Sequence, residues 1–244
     1  MKKLIAIVTL LLTGQAMAQT AAPAPVTPVV SSLALSEDIT FWGKRDSTTV
    51  TEVDSTVMGK VYDMLGWHIT VPVYTQDVTG YGAIDIGADY ELLQNVNFLG
   101  SLTNVAVEGG TWLPTGSAGY GTPNVNPHVG ANASMVWGQI SYSQTADYRF
   151  TGSTAYTPVF GNAVDYLVNA ESFVSYTSGA FAVGADLNQW YTSGSNVAFL
   201  GPKATWKAAT NVDLEAGVGF PVWQDASYGQ ENSCTVTLGL GIKF

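Results

Sequence analysis

Two histidines, His68 and His128, and a scatter of acids are the residues of this 244-residue chain best equipped for chemistry. An imidazole beside a carboxylate such as Asp85 is the pairing that general-base catalysis uses, because the carboxylate orients the ring. A hydrolase also needs a nucleophile nearby, and "NPHVGANAS" around His128 lacks the His-x-Ser-Asn arrangement expected for lipid hydrolysis. No catalytic residue is therefore assigned, and both histidines are expected at lumen-facing or rim positions of the fold derived below. With the histidines dispersed and Cys234 the only cysteine, no metal site, cofactor or disulfide is expected.

The acids matter more through their arrangement. In "YGAIDIGADYEL", Ile84, Ile86, Ala88, Tyr90 and Leu92 alternate with Asp85, Gly87, Asp89 and Glu91. In "GQISYSQTADYRF", Ile140, Tyr142, Ala146, Tyr148 and Phe150 oppose Ser141, Ser143, Thr145, Asp147 and Arg149, with Gln144 the polar intruder. "NVDLEAGVGFPVW" and the terminal "CTVTLGLGIKF" repeat the pattern, the latter with Val236, Leu238, Leu240, Ile242 and Phe244 on one face. Period-two alternation means strands. A soluble sandwich would carry abundant Lys and Glu on its polar faces; here those faces hold Gly, Ser, Thr, Asn and acids. That suits a wall with apolar side chains toward lipid and small polar ones toward a wet interior. Peptide groups in lipid have no water to bond, so such a sheet must close on itself.

The expected fold is thus all-β, a closed antiparallel transmembrane barrel of about twelve strands. Ten remains the alternative because "WGKRDSTTVTEVDSTVMGKVYDM" alternates poorly. Short connections are expected near Leu65, Gln94, Trp137, Ser178 and Ala209, and long ones in "WLPTGSAGYGTPNVNP", "TGSTAYTPVFGN" and "WQDASYGQEN". Short turns on one side and long loops on the other are the asymmetry of outer-membrane barrels.

Residues 1–18 read as an export signal, with Lys2 and Lys3, an apolar run from Leu4 to Leu12, and Ala16-Met17-Ala18 as the cleavage site. Residues 19–32 read as a Pro- and Ala-rich linker, and residues 33–244 as the barrel, placed in an outer membrane. Beyond the signal, seven basic residues face 19 acidic ones, which argues against nucleic acid as a partner.

Projected inward, the alternation places His68, Asp85, Asp89, Glu91, Asp147, Arg149, Asp165, Glu171, Asp186, Trp190, Lys203, Lys207, Asp213 and Glu215 along the lumen. An acid-lined pore favours cations or polar neutral solutes. The competing reading is a network of ion pairs filling a narrow barrel. Trp190 would either stack on an apolar solute or pack inside the wall. Trp42, Trp67, Trp112, Trp137 and Trp223, near expected strand ends, are assigned to interfacial belts. Leu214, between inward Asp213 and Glu215, should face lipid, so that an arginine there costs most near the bilayer midplane.

Three stretches carry a family resemblance: "ITVPVYTQDVTGYGAIDIGADYEL", "GGTWLPTGSAGYGT" and "GVGFPVWQDASYGQENSCTVTLGLGIKF". They resemble outer-membrane barrels named for the meta-pathway of phenol degradation, with Pro114, Thr115 and Gly116 matching a P-T-G loop. Tyr81-Gly82-Ala83-Ile84-Asp85 departs from the family's G-x-G-D element. The resemblance runs from about Gly66 to Phe244 and implies an outer-membrane channel associated with hydrophobic or aromatic compounds. The terminal Phe244 also resembles the signal read by the barrel-assembly machinery. Passive uptake of a small solute is the leading expectation, a structural or surface-displayed barrel with a closed lumen the alternative, and an enzyme is not expected.

Overall fold

The structure, a computed structural model, describes residues 30–44, 49–61, 64–76, 79–117, 120–122, 124–155, 164–192, 196–225 and 232–244. The export signal and residues 19–29 of the expected linker lie outside the described residues. Thirteen strands follow one another: β1 (Val30–Lys44), β2 (Thr49–Val61), β3 (Leu65–Thr75), β4 (Thr79–Tyr81), β5 (Asp85–Phe98), β6 (Ser101–Trp112), β7 (Asn126–Trp137), β8 (Ile140–Ala155), β9 (Val164–Ser178), β10 (Phe181–Thr192), β11 (Asn196–Ala209), β12 (Val212–Gln224) and β13 (Asn232–Lys243).

Every pairing is antiparallel, and β1 pairs with both β2 and β13, so the sheet closes. The short β4 pairs with β3 just ahead of β5, and the two form one wall strand interrupted at residues 82–84. The wall therefore has twelve strands. β13, with 12 residues, is about 40 Å long at about 3.4 Å per residue. Tilted by about 40°, it covers the roughly 25 Å apolar band of such barrels.

Turn chemistry accounts for the tight end. Gly138–Gln139 and Gly179–Ala180 each join neighbouring strands with two residues, the glycine at φ 60° in both. A positive φ at the first position only is a type II′ turn, where glycine carries no Cβ penalty. The β5–β6 turn sits later than expected, at Leu99–Gly100 (φ 51° and 79°) rather than near Gln94. Two register slips between Glu91 and Val96 carry β5 past that point, with Asn95 at φ 52° donating its N–H to Asn104 Oδ1 at 2.7 Å. Bulges re-aim a strand in this way, and polar residues that look like a turn are absorbed into the wall.

The Pro114-Thr115-Gly116 element does not hang free. Ile84 N–H donates to Thr115 Oγ1 at 2.9 Å, Leu113 N–H to Ile84 O at 2.8 Å, and Ser117 N–H to Tyr81 O at 2.7 Å. The loop thus satisfies the backbone where β4 breaks from β5. Gly116 is at φ 104°, and a Cβ there would lie 2.5 Å from Gly121 Cα, so the tight fold of this loop requires glycine.

The outer face is apolar: Leu102, Ile140, Phe181, Val183, Phe220, Val222 and Leu238 are roughly half exposed there. Its polar intruders are bonded along the wall. Gln144 accepts from Tyr142 Oη at 2.9 Å and donates to Glu171 O at 3.0 Å, and Ser55 donates to Glu37 at 2.8 Å. Trp137 and Trp223 are outside as expected, and Trp67 lies against Gly59 on the outer wall. Trp42 and Trp112 are not belt residues: Trp42 is 4% exposed and Trp112 lines an internal cavity, because both share the inward parity of their strands.

Leu214 pairs with Leu240 and Trp206 only two residues into β12, toward the tight-turn end, whereas Leu238 lies near the middle of β13. Depth sets the cost of a charge on this face, so Leu238→Arg should destabilise by about 2–4 kcal/mol and Leu214→Arg, two residues of register nearer the tight turns, by less. Urea unfolding from lipid vesicles measures both, and equal effects would refute the assigned depth.

Candidate functional site

The interior is built from cross-strand rows. One row runs His68 (β3), Gly87 (β5), Gly110 (β6), His128 (β7) and Arg149 (β8); the next runs Gly66, Asp89, Glu108, Gly130, Asp147 and Asn169. Directly paired residues share a face, so both rows point inward.

His128 is 4% exposed, with Nε2 2.9 Å from Asp85 Oδ1 and Nδ1 3.2 Å from Asp147 Oδ1. Arg149 donates from Nε to the other oxygen of Asp147, and its guanidinium lies 4.6 Å from the centre of the Trp112 ring, a cation–π contact. His68 Nε2 reaches to 3.6 Å from Asp85 Oδ2, and the two imidazole centroids are 6.4 Å apart. The histidines are therefore neighbours rather than dispersed. Two sets of potential metal donors share His128: His68–Asp85–His128 and Glu108–His128–Asp147.

A second cluster centres on Lys203, whose Nζ lies 2.9 Å from both Glu171 Oε1 and Glu215 Oε1. Around it a cavity of about 480 Å³ is lined by Asp38, Glu52, Asp54, Asp186, Arg149 and Trp190 among others. A smaller cavity of about 240 Å³ shares Asp38, Glu52, Asp54 and Arg149 and is lined also by Tyr74 and Tyr120. Arg149 thus stands where two chambers meet. Trp190 sits edge-on to Trp42 at 5.8 Å, while Trp42 packs on Phe199 and donates from Nε1 to Glu52 at 3.0 Å. Packing therefore explains the position of Trp190, yet its Nε1 and Asp186 Oδ1 are buried without a hydrogen-bond partner among the described residues. Such atoms are costly unless something bonds them.

Among the residues expected along the lumen, His68, Asp85, Asp147, Arg149, Glu171, Asp186, Trp190, Lys203 and Glu215 meet in these two clusters. Asp89 and Glu91 line a further cavity toward the tight turns, where Lys60 pairs with Glu91. Asp165 and Lys207 are exposed near opposite ends of the wall, and the half-buried Asp213 pairs at 3.0 Å with the exposed Lys243. They are rim residues. Asp38, Glu52, Asp54 and Glu108 were not read from the sequence, and Trp42 was read as a belt residue. The parity Ala34, Ser36, Asp38, Thr40, Trp42 is present in β1, but Glu37 on the opposite face obscures it.

The glycines of the histidine row make room for the rings. A Cβ at Gly110 would fall 2.4 Å from His128 Nε2 and 2.6 Å from Ile86 O, whereas at Gly109 the nearest atom is 3.8 Å away. Gly110→Ala should cost about 1–3 kcal/mol through overpacking, and Gly109→Ala little. Unfolding midpoints in detergent test the pair, and a tolerant Gly110 would contradict this packing.

No family model matches the chain, and no curated protein matches it. Solved structures do. An outer-membrane channel of the COG4313 group from Pseudomonas putida F1 matches with TM-score 0.59 at 10% identity, covering 92% of this chain and 100% of that one. The NanC porin matches at 0.58 and 9% identity (87% and 100%), and the KdgM porin at 0.54 and 14% identity (86% and 99%). At these identities the likeness is one of fold alone, that of outer-membrane β-barrels.

Proposed function

We propose that the protein is an outer-membrane channel for passive uptake of small solutes, exported by residues 1–18 and selective for cations over anions. The carrying observation is the lining of the larger chamber, where, among the described residues, six carboxyl groups, Asp38, Glu52, Asp54, Glu171, Asp186 and Glu215, outnumber the cations Arg149 and Lys203. In a cavity walled by low-dielectric protein such an excess attracts cations and raises their local concentration. The apolar outer face supports a lipid partner, and the exposure of Phe244, whose N–H donates to Leu33 O at 2.8 Å, supports recognition by the assembly machinery as part of this reading.

Aromatic or hydrophobic solutes are the finer part of this reading. The resemblance to the phenol meta-pathway barrels supports it, as does Trp190, an indole on the chamber wall with an unpaired N–H. The ion pairs that cross the interior favour the alternative, a structural barrel with a closed lumen. Hydrolysis has little support, since both ring nitrogens of His128 face carboxylates rather than a hydroxyl.

Current through the purified protein in a planar bilayer separates these readings. Under a KCl gradient the reversal potential should report cation preference, and Asp38→Asn with Asp54→Asn should shift it toward zero. No current and no flux of a small aromatic solute into vesicles would leave the closed barrel as the function.

A further inference from the structure

We propose that the histidine row is a binding site for a divalent transition-metal cation, held by Nε2 of His68, Nε2 of His128 and a carboxylate oxygen of Asp85. This goes beyond the channel reading and does not depend on conduction.

Register makes the convergence unusual. His68 and His128 are separated by two intervening strands, so at about 4.8 Å per strand their backbones stand about 14 Å apart. Their ring centroids are nevertheless 6.4 Å apart, because both side chains lean over Gly87 and Gly110. A Cβ at Gly87 would lie 2.6 Å from His68 Nε2, and one at Gly110 would lie 2.4 Å from His128 Nε2. The two glycines form the floor of a shallow cradle with both Nε2 atoms above it. Asp85, on the same strand as Gly87 and the same face, brings its two oxygens to 2.9 Å from His128 and 3.6 Å from His68. The three donor atoms lie within 4.8 Å of one another. Metal–nitrogen bonds of about 2.0–2.1 Å require only a modest further approach, which the partly exposed His68 ring can supply.

The surroundings of His128 provide a second, independent argument. Its Nδ1 faces Asp147, which Arg149 holds from behind. A carboxylate on the far nitrogen of a ligating histidine fixes the tautomer, turns the lone pair of Nε2 toward the metal and raises its basicity. Two imidazoles and one carboxylate suit Zn²⁺, Cu²⁺, Ni²⁺ or Co²⁺, whereas Mg²⁺ and Ca²⁺ prefer all-oxygen shells. Glu108 and Asp147 offer a rival triad through Nδ1 of His128, and the same experiment separates the two.

The test is titration of the full chain, folded in detergent micelles, with Co²⁺ followed by its visible absorption and then displaced by Zn²⁺. One Co²⁺ per barrel is expected. His68→Ala and Asp85→Asn should each weaken binding by more than about 100-fold, Asp147→Asn by about 10- to 100-fold with the spectrum retained, and Glu108→Gln should have little effect. If His128→Ala fails to fold, the partly exposed His68 carries the test. Absence of a Co²⁺ band, binding only at millimolar concentration, or binding unchanged in His68→Ala would overturn the proposal and leave His128 as a structural bridge between Asp85 and Asp147. Loss on Glu108→Gln but not on Asp85→Asn would also overturn it.

Discussion

The pairing of β1 with β13 is the constraint on which the molecule depends. Eleven residue pairs, from Ala34 with Lys243 to Lys44 with Asn232, join the first strand to the last. In a medium without water each unpaired peptide group costs several kcal/mol, so an open sheet of this length would have no stable place in lipid. Closure removes both edges at once. It also divides every strand into an outer and an inner parity, and all of the buried chemistry follows from which residues take the inner one.

The inner parity has received more charge than a narrow barrel can leave unpaired. Desolvated ions are tolerated when partners surround them, and removing one partner from a buried pair typically costs about 3–5 kcal/mol. Lys203 between Glu171 and Glu215, and Arg149 against Asp147 and Trp112, are arrangements of that kind. Lys203 on β11 reaches across β10 to Glu171 on β9 and sideways to Glu215 on β12, whereas Arg149 holds Asp147 of its own strand. Because Arg149 borders both chambers, the pairing that stabilises it also stands at their junction.

The fold was legible wherever a strand separates its two faces cleanly. β5, β8, β12 and β13 do so, and they carried the reading of a closed antiparallel barrel of about twelve strands, with ten as the alternative, and of short turns at one end and long loops at the other. β1 and β2 do not, since Glu37 and Ser55 bond to each other on the outer face while Asp38, Glu52 and Asp54 point in. With polar residues on both faces there is no periodic signal, and the acids of the larger chamber were lost with it. The two misplaced tryptophans have the same origin: position near a strand end suggested a belt, but parity, which needs an exact register, puts Trp42 and Trp112 inside. The histidine cluster was invisible for a further reason. His68 and His128 are 60 positions apart in the chain, and only the three successive pairings across β3, β5, β6 and β7 set them in one row.

Those same rows give the glycines of the polar face a meaning that composition alone does not carry. They serve as volume as well as turns. Gly66 lies against Asp89, Gly87 against His68, Gly110 against His128, Gly130 against Glu108 and Gly239 against Asp38, each so close that a Cβ would meet the neighbouring side chain at 2.7 Å or less. A large polar side chain next to an inward glycine can fold flat along the wall instead of projecting to the barrel axis. Twelve strands lie between the eight whose interior is filled by side chains and the sixteen that leave a wide aqueous channel. In that intermediate range, side chains that lie along the wall fill less of the centre than ones that project toward the axis, and the inward glycines give them room to do so. The residues that let the charges pair along the wall are therefore also those that limit how far these side chains reach toward the barrel axis.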